Sequence, residues 1–141
     1  MAKAKKASKP SVKKEVIVIG SAFGDFHGLG KKIVAGCLRA EMYEVYDLGL
    51  NVSAQKFVDE AKAKNAKIIG VSSMMVHSAK GENGPRAIRQ ILDDEKSNIK
   101  LIVGGAPYRY DFELYKEVGA HGFAATAPEV SKLIESLLGG K

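Results

Sequence analysis

The stretch Gly24-Asp25-Phe26-His27-Gly28-Leu29-Gly30-Lys31-Lys32 decides how this chain is read. It follows the apolar run Val16 to Ile19 and leads into an amphipathic segment, so an Asp-x-His pair stands at a strand-to-helix turn crowded with glycine. Glycine lets a backbone take positive φ and come close to a bulky ligand. An aspartate two residues from a histidine can hold one imidazole nitrogen and leave the other free. The pattern is that of a metal ligand with the carboxylate that orients it.

Working outward, short β-branched runs alternate with helical patterns from residue 15 onward. Strands are expected over Glu15 to Gly20, Glu44 to Leu48, Lys67 to Ser72, Ile99 to Gly104 and Gly122 to Ala125. Strands alternating with helices make a parallel sheet. The fold class implied is α/β: a flavodoxin-like or Rossmann-like, doubly wound, five-stranded parallel sheet in the order 2-1-3-4-5.

The helical segments carry their own punctuation. A first helix from Gly28 to Ala40 is expected to bury the i, i+4 series Leu29, Ile33, Cys37 together with Val34 and Leu38, which makes Cys37 a core residue. Ser53 caps a second helix with the apolar stripe Ala54, Phe57, Val58 and Ala61, ended by Asn65. Gly84-Pro85 opens another that buries Ile88, Ile91 and Leu92. Asp111 caps a short helix carrying Leu114, Tyr115 and Val118, closed by Gly119, and Thr126-Ala127-Pro128-Glu129 reads as a capping box before Val130, Leu133, Ile134 and Leu137.

Composition bounds the rest. With 141 residues, 45% hydrophobic and 27% charged, the chain suits one soluble domain over residues 15–141. The net charge of +6 sits in the first 14 residues, where six lysines precede any acid and the remaining 16 basic residues are matched by 16 acidic ones. This basic tail, 1–14, lacks the apolar residues to fold and is expected to be disordered, with no nucleic-acid partner implied. No apolar run reaches the length of a membrane span, and neither a secretory signal nor a disulfide framework is present, so a cytoplasmic protein is expected.

In a sheet of this order, ligands bind beyond the carboxyl ends of the strands, where the order reverses. Asp25 and His27 follow the first strand, Ser72 and Ser73 end the third, His77 and Ser78 come next, and Gly104-Gly105-Ala106-Pro107 follow the fourth. Four loops converge there. The dinucleotide fingerprint is missing, because Ile33 stands where its third glycine belongs. A phosphate-binding loop fails at Asp25 and Lys32, and the acidic cluster of a receiver domain is also missing.

Asp25-x-His27-x-x-Gly30, then Ser72-x-Met74, then Gly104-Gly105 resembles the signature of the cobalamin-binding domain, D-x-H-x-x-G, S-x-L and G-G. The 41 residues between Gly30 and Ser72 match the spacing usual in that family. The resemblance runs from about Glu15 to Leu138, and Tyr46-Asp47-Leu48-Gly49 and Val103-Gly104-Gly105-Ala106-Pro107 look more like corrinoid proteins of methyltransferase systems than like mutases.

The resemblance implies a cobalamin cofactor whose cobalt takes His27 as its lower axial ligand, base-off and His-on, with Asp25 holding the other ring nitrogen and Ser78 extending the relay. Phe26, Gly28 and Gly30 belong to the same binding turn. Ser72, with Met74 in place of the family's leucine, would face the displaced base. Gly104, Gly105, Ala106 and Thr126 would line the slot for the nucleotide tail, the two glycines because a side chain would clash there. His77 is read as a surface residue and His121 as structural.

The implied function is a corrinoid carrier that moves a methyl group on cobalt between partner methyltransferases and does not turn over alone. Two alternatives stay open: the small subunit of an adenosylcobalamin mutase, and a non-catalytic cobalamin-binding or storage module. The usual N-terminal helical cap has no room in the residues before the first strand. An uncovered corrin face is then expected to meet a methyltransferase or to self-associate.

Overall fold

The computed structural model describes residues 15–139. The expectation for the tail, 1–14, lies outside the described residues.

The chain forms β1 (Val16–Ser21), α1 (Leu29–Ala40), β2 (Glu44–Asp47), α2 (Ala54–Ala63), β3 (Ile68–Ser72), α3 (Val76–Lys80), α4 (Pro85–Asp94), β4 (Lys100–Gly104), α5 (Ala106–Tyr110), α6 (Leu114–Glu117), β5 (Gly122–Phe123) and α7 (Ala127–Gly139). The five strands are all parallel and lie in the order β2-β1-β3-β4-β5, the doubly wound arrangement read from the sequence. Register sets Ser21 beside Ser72 and Ser72 beside Gly104, so the carboxyl ends of the three central strands form one row.

Each strand residue faces opposite to its neighbour, and the central strands are buried on both sides. Val18, Ile69, Val71, Leu101 and Val103 pack against α2, α4 and the α5–α6 segment through Phe57, Val58, Ile88, Leu92, Tyr108 and Leu114. Ile17, Ile19, Ile68 and Ile102 face the other way, toward Ala35 and Leu38 of α1 and Val130 and Ile134 of α7. Capping follows local chemistry. The Ser53 hydroxyl accepts from the Lys56 amide at 3.2 Å, and Asn65 takes a left-handed φ of +56°. The last cap forms at Thr126, whose hydroxyl accepts from the Glu129 amide at 3.4 Å, while the returning Glu129 carboxylate accepts from the Ala125 amide at 2.9 Å, one residue before the cap.

Helix α1 overturns one expectation. Cys37 is exposed, as are Leu29 and Ile33, at 75% and 53%. The buried line is Lys31, Ala35 and Leu38. Small Ala35 lets the helix approach the sheet closely, and Lys31 can be buried because its ammonium meets Asp47 Oδ2 at 2.8 Å, at the end of β2. Asp47 Oδ1 in turn accepts the Gly49 amide at 2.9 Å. Two short helices add to the expected elements: α3 between β3 and α4, and α5, which begins at Ala106 directly after β4.

The Lys31–Asp47 pair is unequal, since the lysine side chain is 2% exposed and the aspartate 21%. Removing the carboxylate therefore strands a charge that water cannot reach. Asp47→Asn should cost about 3 kcal/mol or more, and Lys31→Met, which leaves a partly hydrated carboxylate, roughly half as much. Chemical denaturation of the two variants checks the order; equal losses would mean that the pair is no more than packing.

Candidate functional site

The site is built around one buried carboxylate. Beyond β1 the Ala22 amide bonds to Ser72 O at 2.9 Å and the Asp25 amide bonds back to Ala22 O at 2.9 Å, which turns Asp25 inward. Its side chain is 1% exposed while that of His27 is 56% exposed. Asp25 Oδ1 accepts from the His27 backbone amide at 3.0 Å and from ring Nδ1 at 2.8 Å. Oδ2 accepts from the Met74 amide and from the Ser78 hydroxyl, each at 2.7 Å.

Burial pushes the Asp25 carboxyl up, but the Met74 amide, the Ser78 hydroxyl and the His27 ring and amide together outweigh it and hold the group below its ordinary range. An ionised carboxylate only accepts hydrogen bonds, so Nδ1 of His27 carries the proton. In the neutral ring Nε2 is then left as a free lone pair.

A second loop braces this turn. The Asn51 side-chain oxygen accepts the Gly24 amide at 2.8 Å, and the Asn51 amide donates to Asp25 O at 2.9 Å. Asn51 has a φ of +54° and Gly24 a φ of +83°, left-handed positions that asparagine and glycine tolerate. Ser21 Oγ donates to His27 O at 2.7 Å. Neither Ser21 nor Asn51 was singled out from the sequence, because contacts spanning β1 and the β2–α2 loop exist only once those strands are paired. The serine ending β1, aligned with Ser72 that ends β3, was the one available signal.

Beside this turn a cavity of about 360 Å³ opens between α1, α7 and the sheet. Its walls are mainly apolar, with Ile17, Ile19, Val34, Ile102 and Val130 among them. Of the residues singled out beforehand, Gly30, Ser72, Met74, Gly104, Gly105, Ala106 and Thr126 line it. Asp25, His27 and Ser78 form the relay instead, Gly28 lines a second hollow with Leu29, Asp47 and Leu50, and Phe26 is 66% exposed. His77 is exposed on α3. His121 accepts the Leu101 amide on Nδ1 at 2.9 Å, and burial, then Arg89 and Lys100, push its pKa down, so it remains a neutral structural group.

The glycines divide by cause. A Cβ on Gly105, whose φ is +120°, would stand 1.9 Å from Ser73 O, and one on Gly104 would stand 3.1 Å from Ala124 O. The protein's own backbone therefore demands glycine at 105, whatever lies in the slot. Gly30 and Gly70 behave differently. Both line the cavity, and a Cβ on Gly30 would meet no atom within 4 Å, so side chains there would fill space that a ligand could use.

No group of three or more His, Cys, Asp or Glu side chains that could hold a metal ion exists among the described residues. A lone imidazole of fixed tautomer beside an apolar slot suits a metal that brings its own equatorial ligands, as a corrin does. The residues present fit such a cofactor.

Comparison with known proteins agrees. The B12 binding domain family matches residues 15–132. A dimethylamine corrinoid protein of Methanosarcina mazei is 36% identical over 128 residues, covering 89% of this chain and 57% of the relative. A crystal structure of a cobalamin-binding protein from Desulfitobacterium hafniense DCB-2 superposes with a TM-score of 0.80 at 30% identity, over 92% of this chain and 62% of that one. The monomethylamine corrinoid protein of Methanosarcina barkeri gives a TM-score of 0.74 at 30% identity, over 84% of this chain and 56% of that one. The chain thus spans a little over half the length of these relatives. On matching motifs, fold and relatives, the chain belongs to the B12 binding domain family, and its cofactor is a corrinoid, cobalamin.

Proposed function

We propose that this domain binds cobalamin base-off with His27 Nε2 as the lower axial ligand, and that it serves as the methyl-carrying corrinoid module of a methyltransferase system. The observation that carries the reading is the Asp25 relay, which spends a buried carboxylate and a buried serine on presenting a single exposed imidazole nitrogen. Bound cobalamin supplies the cobalt that accepts and gives up the methyl group. The chain's own residues do the rest: Asp25 keeps the proton on Nδ1, Ser78 and the Met74 amide keep Asp25 ionised, and the cavity takes the displaced nucleotide tail.

Chemistry on both sides of the transfer falls to partner methyltransferases, and the domain is not active alone. Phe23, Phe26, Met74 and Met75 on the loops after β1 and β3, with Val76 at the start of α3, are all at least 42% exposed and offer apolar surface to the cofactor and to a docking partner or second copy. The likeness to methylamine corrinoid proteins favours a carrier over a mutase subunit or a storage module.

Electron paramagnetic resonance of the Co(II) protein tests the ligand. Imidazole ¹⁵N labelling of histidine should change the nitrogen splitting in the wild type, and His27→Ala should abolish that sensitivity. A dimethylbenzimidazole pattern in both would sink the assignment.

Asp25 gives a pH prediction. Its folded value lies below the ordinary 3.8, so the stability it contributes is complete above that value and is lost as the pH falls through the depressed one. Ser78→Ala, which removes one donor, should cost about 1–2 kcal/mol at neutral pH, and the difference from wild type should shrink as acid protonates Asp25 in both. Urea midpoints across the acid range read this directly; a difference that does not change with pH would detach Ser78 from the carboxylate.

The brace can be isolated with two substitutions that both tolerate the left-handed backbone of Asn51. Asn51→Gly deletes the acceptor for the Gly24 amide, whereas Asn51→Asp keeps an oxygen there. The glycine variant should show a larger fraction of bound cobalamin without histidine coordination, by about three- to tenfold in the equilibrium, with the aspartate variant close to wild type. Identical spectra for the two would remove Asn51 from the positioning of His27.

A further inference from the structure

The cavity carries one charge that the function proposed above leaves unused. Among its described lining residues two are cationic, Lys31 and Arg109, and none is acidic. Lys31 is 3% exposed and committed to Asp47 at 2.8 Å. Arg109 is exposed, and among the described residues its guanidinium has neither an ion pair nor a hydrogen bond. The acid nearest to it in sequence, Asp111, is occupied in accepting the Glu113 amide at 3.1 Å.

The backbone of Arg109 is nonetheless firmly placed. It follows Tyr108, which is 0% exposed, and buried Pro107, on a short helix launched by Gly105 at the carboxyl end of β4. An uncommitted guanidinium, held beside an apolar slot with no acid in its lining, fits a ligand that is apolar within the slot and anionic beside Arg109. Planar guanidinium favours phosphate oxygens, which it can engage with two parallel hydrogen bonds. The nucleotide tail of cobalamin has this form, a flat aromatic base and ribose joined to the corrin through a single phosphodiester.

We propose that Arg109 pairs with the phosphodiester of the nucleotide tail, and that it makes this domain select corrinoids carrying that phosphate over those that lack it. The proposal rests on the reading that the displaced tail occupies the cavity. It adds a specificity residue outside the three sequence motifs and independent of the cobalt ligand.

Binding titrations of the full chain, followed by the absorption change, test it with three probes: cobalamin, cobinamide phosphate, which lacks the base, and cobinamide, which lacks both base and phosphate. Arg109→Gln should weaken cobalamin and cobinamide phosphate by about tenfold and leave cobinamide unchanged, with Arg109→Lys in between. The salt dependence of cobalamin binding should also fall in the glutamine variant. An equal effect on all three probes, or no effect on any, overturns the role of Arg109 while leaving the function proposed above standing. A wild type that binds cobalamin no better than cobinamide removes the tail from the cavity and overturns both this inference and the tail placement beneath it. Arg109 is exposed and has no hydrogen bond or ion pair among the described residues, so these substitutions read binding and not stability.

Discussion

A buried carboxylate has to be satisfied, and that requirement at Asp25 organises the functional end of this molecule. Its two oxygens accept four hydrogen bonds, from the His27 amide and ring, the Met74 amide and the Ser78 hydroxyl. An ionised group taken out of water without such partners would be costly enough to neutralise itself. The donors come from the turn after β1 and from the loop after β3 with the adjoining helix α3, so meeting the charge also joins two segments 49 or more residues apart in sequence. The same bonds fix the imidazole tautomer, and a structural demand thereby becomes a chemical one.

The sheet supplies the frame in which this happens. Parallel pairing brings Ser21, Ser72 and Gly104 into one row, and the segments that follow Ser21 and Ser72 are the ones that meet at Asp25. The Ser73 amide bonds to Gly104 O at 3.0 Å, and the close approach of Ser73 to Gly105 leaves no room for a side chain at 105. Glycine there serves the closeness of two loops first, and the shape of the slot beside them follows from it.

Helix α1 shows how packing and site are coupled. Because the Lys31–Asp47 pair allows a lysine on the buried line, the helix settles with Ala35 and Leu38 against the sheet and turns Ile33 toward the cavity wall. Had the Leu29, Ile33 and Cys37 line been buried, those side chains would have been taken up by the core. A partly apolar, partly open face on α1 is the consequence, and with α7 opposite and the sheet as floor it bounds a space of about 360 Å³.

Ser78 entered only through the resemblance to the cobalamin-binding domain; the sequence by itself determined the alternation of strands and helices, the order of the sheet, and the pairing of Asp25 with His27. Those features are written in local periodicity, in turn residues and in motif spacing, which do not need a partner to be recognised. Tertiary structure alone decided which face of α1 is buried, because a lysine counts as polar in any periodic pattern until an aspartate from another strand neutralises it. It also decided the roles of Asn51 and Ser21, whose bonds cross between separate loops and strands, and the position of Arg109 beside an apolar slot. Each of these depends on a contact between residues far apart in the chain, and such contacts are fixed only when the strands pair and the helices pack.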